Sequence, residues 1–191
     1  MVRLLIGAVL SSIVLFVWGY LFWVVSPLRF GVLRTIPNEE AIIDALKKNL
    51  PETGVYLSPF AEESRFKEAR EAAQKELTEK HKEGPLVQII YRKNGVDPMS
   101  PATFASGFAN MLVASLLIGL LLKLALPGLA SYSSRVLFVF VAGVFAAVTI
   151  DLSTPIWFHQ PWDLPLFNAL YHASSWFLAG LVLGAVIRPR S

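Results

Sequence analysis

The sequence predicts an α-helical integral membrane protein: a four-helix transmembrane bundle with a small α/β extracytoplasmic domain inserted between helices 1 and 2. Three observations predict it. Four apolar runs occupy Leu4–Val25, Thr103–Leu126, Val136–Leu152 and Leu164–Ile187, and about 20 such residues in a helix cross a hydrocarbon core of about 30 Å. The 191 residues are 54% hydrophobic and only 16% charged, with a mean hydropathy of +0.54, too apolar for an ordinary soluble domain. Charge is also segregated: 12 of 17 basic and 12 of 14 acidic residues fall between Arg29 and Asp97, and the rest sit at the ends of the apolar runs. The chain therefore divides into a first helix (1–28), a polar domain (29–101) and three further helices (102–191).

Leu4–Val25 reads as a retained span rather than a cleaved signal peptide, being long for such a segment and followed by no small-residue cleavage site. Gly7 and Ser11, like Ala8 and Ser12, lie four apart and permit close helix approach. Trp18, Tyr20 and Trp23 crowd its far end, as interfacial anchors do.

In the polar segment, Asn38 followed by Glu39 and Glu40 predicts a helix start running to Asn49, with Asn38 as the cap. Gly54–Ser58 reads as a strand. Ala61–Glu83 reads as one long charged helix with Phe66, Ala69, Ala73 and Leu77 on one side. Leu86–Arg92 reads as a second strand, closed by the turn pair Asn94-Gly95. Two strands and some seventy residues bury little on their own, so the domain is expected to lean on the membrane or on a partner.

The second span carries Ser106, Asn110 and Ala114 four residues apart, and Lys123 near its end can extend to the headgroups. The third, 136–152, is short and is expected to borrow residues from the connection before it. The fourth, 164–187, stops at Arg188-Pro189-Arg190. Four spans place Arg3, Lys123, Arg135, Arg188 and Arg190 on one side, with no acid. The loop Asp151–Asp163 lies on the other, with two acids and no base. The positive-inside rule makes the first side cytoplasmic, N-in and C-in; Arg29 and Arg34 oppose this but are outnumbered.

Asp151–Ser175 is the richest stretch in chemistry. Asn168, His172 and Ser175 share one face of span four. At about 1.5 Å per residue, His172 and Asn110 reach similar depths from the same side, with Asp151 nearer the surface. Polar groups at such depth face the bundle interior. Asn110, Asp151, Asn168, His172 and Ser175 thus form either interhelical contacts or a pocket. A catalytic reading would make His172 a general base oriented by Asp151 or Asp163, with Ser153 or Ser175 as nucleophile, but no nucleophile elbow or zinc-peptidase motif accompanies it. His159 and His172 have ligand character without a helical pair spacing, and cysteine is absent. No catalytic residue, metal or cofactor is therefore assigned. His81 reads as a solvated residue near a helix end. Gly180 and Gly184 form a small-residue seam for packing within the bundle or between protomers. No basic patch interleaved with aromatics suggests nucleic acid.

The runs VLFVWGYLFW (14–23), LPETGVYLSP (50–59), GPLVQIIYRKNGVDPMSP (84–101) and WFLAGLVLGAVIRP (176–189) resemble small four-helix bacterial inner-membrane proteins of uncharacterised function. The resemblance spans nearly the whole length. It implies four helices and a bacterial inner membrane, and supplies no activity, cofactor or site residue. The expected function is that of a non-catalytic accessory subunit or assembly factor of a larger membrane complex, of respiratory or photosynthetic type. Its partners are the lipid bilayer and other subunits or copies of itself. The competing expectation is a membrane-embedded enzyme or a small-ligand or lipid binder using the pocket around Asn110, Asp151 and His172.

Overall fold

The computed structural model describes residues 1–189; Arg190 and Ser191 of the basic tail lie outside them. The chain is mostly helical, 71%, with one small two-stranded sheet. It separates into two compact units, one built from 1–34 and 98–191 and the other from Thr35–Asp97.

The first unit holds four helices long and apolar enough to cross a membrane: α1 (Val2–Tyr20, continued by a wider turn over Leu21–Val25), α5 (Pro101–Ala125), α6 (Tyr132–Ile150) and α8 (Asp163–Val186). These features define a multi-pass membrane protein. Start signals are local. Ser100 Oγ accepts from Thr103 N, with Pro101 as the first helical residue, a position where proline's missing N–H has no helical partner to lose. Ser131 Oγ accepts from Ser134 N, so α6 begins four residues before Val136 and gains the length that the apolar run alone lacks.

The helices pack in the order α5, α1, α8, α6, with α5 touching α6 only sparsely. Small residues set the spacing. Gly7, Ala8, Ser11 and Ser12 are buried on α1, and Ser115 Oγ meets Ser11 Oγ at 3.3 Å across α1 and α5. Leu4, Leu15, Ile118, Leu122, Val139, Ala179, Leu183 and Ile187 form the apolar core. Arg3 Nη1 donates to Arg188 O at 3.2 Å and Lys123 Nζ approaches Met1 Sδ at 3.7 Å, so both described chain ends and the α5–α6 connection share one end of the bundle. Arg135 is buried there and pairs with no carboxylate among the described residues. Its guanidinium donates to Gly184 O, Leu129 O and Ala130 O at 2.8–3.2 Å, where a cation also suits the carbonyl end of α8.

The second unit contains α2 (Glu39–Asn49), β1 (Gly54–Ser58), α3 (Glu63–Glu68), α4 (Arg70–Glu83) and β2 (Val87–Tyr91). Asn38 precedes α2 in the left-handed region (φ 55, ψ 54) and makes no side-chain cap. The expected cap gives way to a conformation that asparagine tolerates better than most residues, and its carbonyl instead accepts from Ile42 N. The single helix expected over Ala61–Glu83 is broken at Ala69 (φ −149, ψ 65). Arg65 and Glu76 show the result. In a continuous helix they would be separated by about 16 Å of rise, yet Arg65 Nη2 lies 2.9 Å from Glu76 Oε2, which requires α3 to fold back on α4.

Lys80 reaches the same carboxylate at 2.7 Å. Hydrogen bonds from Lys80 and Arg65 hold Glu76 below the ordinary carboxylate value of 4.5. A lowered folded-state pKa means these pairs contribute above about pH 4.5 and are lost as pH falls through the lowered value. Hydrogen exchange of amides around the α3–α4 break, measured on the whole chain, is expected to show protection lost in that acid range. In Glu76→Gln, protection should be weaker at neutral pH and no longer change there; an unchanged acid transition in that variant would refute the assignment.

β1 and β2 pair antiparallel, with Val55 opposite Ile90 and Tyr56 opposite Ile89. Alternation puts Val55, Leu57 and Ile90 on one face of the sheet, and that face is bare: Ile90 is 82% and Val55 63% exposed. Tyr56, Ile89 and Tyr91 occupy the other face and are half-buried.

Candidate functional site

α6 ends at Asp151, whose backbone N–H still bonds Ala147 O. A carboxylate there faces the negative end of the helix dipole, and Asp151 is only 7% exposed. Its partner explains how it is held. His172, nine residues into α8, places Nδ1 2.6 Å from Asp151 Oδ2, with the carboxylate side chain 8% and the imidazole 41% exposed. With the proton on Nδ1, the imidazole donates to Asp151 Oδ2, which fixes the orientation of the ring. Thr154, at the start of α7 (Thr154–Trp157), donates both its N–H and its hydroxyl to Asp151 O, which bends the chain away from α6 immediately after the acid.

The imidazole lies beside the Tyr171 ring, tilted by 51° with centroids 5.3 Å apart. Tyr171 belongs to an aromatic cluster at this end of α1 and α8, in which Phe22 lies 4.7 Å from Phe167 and 5.1 Å from Tyr171, and Trp23 lies 5.0 Å from Phe167. Trp18 Nε1–H donates to Ser174 Oγ at 3.1 Å. Trp18 and Trp23 therefore turn toward α8, whereas Tyr20 is exposed. The sequence reading treats the tryptophans as interfacial anchors and misses this cluster; the i, i+4 pairs Trp18/Phe22 and Phe167/Tyr171 are the signal that marks it.

The structure joins Asp151 to His172 by a hydrogen bond, and among the described residues it joins none of the other proposed members to either. Asn110 is exposed on α5. It lies five residues before buried Ser115, roughly 140° around the helix at 3.6 residues per turn, so it faces away from α1. Asn168 is half-buried on α8. Ser175 is buried, and its hydroxyl makes no hydrogen bond among the described residues. Ser153 Oγ donates to Ile150 O. His159 is exposed, with φ 53. Asp163 pairs loosely with Arg34 at 3.7 Å on an exposed surface, where such pairs contribute little. His81 is exposed, and its Nδ1 lies 2.8 Å from Leu77 O. Among the described residues, no group of three or more His, Asp or Glu gathers as a metal site would require.

Gly180 and Gly184 lie within the bundle. A Cβ on Gly180 would meet Val136 O at 3.0 Å, and one on Gly184 would meet Val136 Cγ2 at 3.2 Å, so this seam seats α6 on α8. The tightest position is one the sequence reading passed over: Gly143 on α6 lies beneath Trp176, whose Cβ would be 2.2 Å from an added Cβ.

The second unit has a groove of about 300 Å³, lined by Phe60, Glu62, Arg65, Glu76, Leu77 and Lys80 among others. Arg65 and Lys80 both bond Glu76, so these three charges are engaged with one another.

The chain matches no model of a protein family, no curated protein and no solved structure. Class and site therefore rest on the geometry itself: a multi-pass helical membrane protein whose bundle holds a half-buried carboxylate–imidazole pair.

Proposed function

We propose that the protein is a non-catalytic accessory subunit or assembly factor of a larger complex in a bacterial inner membrane, with both termini cytoplasmic and the Thr35–Asp97 unit outside. The observation that carries this reading is the bare sheet face of Val55, Leu57 and Ile90. A small polar unit has no reason to leave three β-branched or large apolar side chains in water on one flat face unless another surface covers them. The clustering of Arg3, Lys123, Arg135 and Arg188 about one end of the bundle supports the orientation through the positive-inside rule.

The test is native electrophoresis of membranes extracted in mild detergent, followed by mass spectrometry. The protein should migrate with other subunits, and Ile90→Asp should release it from them while the bundle remains folded. Migration free of any other protein, unaffected by Ile90→Asp, overturns the reading.

One observation favours a second function. The Asp151–His172 pair holds an imidazole with Nδ1 engaged and the side chain 41% exposed, an arrangement suited to binding or proton transfer at a small ligand. If that function operates, His172→Gln abolishes ligand binding or turnover while co-migration with other subunits persists.

A further inference from the structure

The outer face of α5 carries a pattern that packing within the chain does not use. Ser106, Asn110, Val113, Leu117, Leu120 and Leu124 are all exposed, and their spacing is 4, 3, 4, 3, 4. That is the a/d repeat of helices that supercoil about each other, with Asn110 at an a position. The buried residues of this helix, Ser115, Ile118, Gly119 and Leu122, lie on the opposite side against α1 and the core. Asn110 is nine residues from Pro101, hence about 13 Å along the helix and inside the hydrocarbon layer. Its amide has no hydrogen-bond partner among the described residues. Ser106, one turn earlier, satisfies its hydroxyl on Ala102 O. Lipid offers an amide neither donor nor acceptor, so polar groups at this depth find protein partners.

We infer that a second copy of this chain packs against the α5 seam, with the two Asn110 amides hydrogen-bonded to each other. Three properties select a second copy over a different subunit. Every copy inserts with the same orientation, so the two α5 helices run parallel and Asn110 meets its counterpart at equal depth. A carboxamide both donates and accepts, so two of them satisfy each other about a two-fold axis. In a parallel a/d seam each position faces its own equivalent, which places Val113, Leu117, Leu120 and Leu124 against their counterparts. The inference goes beyond the accessory-subunit reading and does not depend on it.

The chain contains no cysteine, so single cysteines can be introduced without background. In native membranes, oxidation should yield a cross-linked dimer from Asn110→Cys, Val113→Cys, Leu117→Cys and Leu120→Cys. Leu112→Cys and Leu116→Cys, on the flank of α5, should give little. In lipid vesicles, energy transfer between labelled full-length copies should show association, weakened about 3- to 30-fold by Asn110→Ala, the range an interhelical side-chain hydrogen bond confers. Circular dichroism of that variant should be unchanged, since Asn110 makes no contact that holds the protomer. Equal cross-linking at seam and flank, no dimer at any position, or a product whose mass reports a different protein would overturn the inference. A dimer that migrates without other subunits would leave it standing and remove the accessory-subunit reading instead.

Discussion

Gly143→Ala is expected to be the most damaging single-atom addition in the bundle. The new methyl would occupy space now filled by the Cβ, Cγ and Cδ1 of Trp176, 2.2–2.4 Å away. Trp176 is half-buried between α6 and α8, and its Cβ moves only if the helix moves, so rotamer adjustment alone does not relieve the overlap. Separating the two helices would also disturb the neighbouring contacts of Gly180 and Gly184 with Val136. Overpacking of this kind costs about 3 kcal/mol or more. Denaturation in mixed micelles should register that loss. Trp176→Ala in the same chain should return part of it, because it retains Cβ but removes the ring. If Gly143→Ala unfolds at the wild-type denaturant concentration, the close packing of α6 on α8 is wrong.

His172→Leu is expected to be the second largest. It strands the Asp151 carboxylate, only 8% exposed as a side chain, at the unfavourable end of α6. Breaking a buried pair from one side costs about 3–5 kcal/mol; with the imidazole half-exposed, about 2–3 kcal/mol is expected here. Asp151→Asn with His172→Leu should recover most of this, because the unpaired charge is then gone. A double variant no more stable than His172→Leu alone would show that the pair does not hold the ends of α6 and α8 together.

The elements of the bundle are legible in the sequence because a membrane span needs only length, apolarity and charged ends. The starts of α5 and α6 depend on serine caps, which is why α6 begins at Tyr132 rather than Val136. Helix neighbours are harder to read. Asn110 and His172 have matching depths, but depth says nothing of azimuth: Asn110 turns outward on α5, and α1 lies beside α8 where α5 is expected. His172 instead meets Asp151, which the sequence places nearer the surface, because α6 ends level with the third turn of α8. The break at Ala69 is likewise invisible to local periodicity. Arg65 and Glu76, eleven positions apart, are brought together across it, and a helical pattern continues through it undisturbed.

The lateral order α5, α1, α8, α6 carries a consequence for biogenesis. The two central helices are the first and last of the four to be synthesised. As the ribosome proceeds, α5 can settle on α1 as soon as it is inserted. α6 then waits in the bilayer with little to pack against, since its extensive neighbour is α8. α6 is thus exposed to membrane quality control until α8 arrives between it and α1. Insertion intermediates arrested after Ile150 should be degraded faster than those arrested after Ala125.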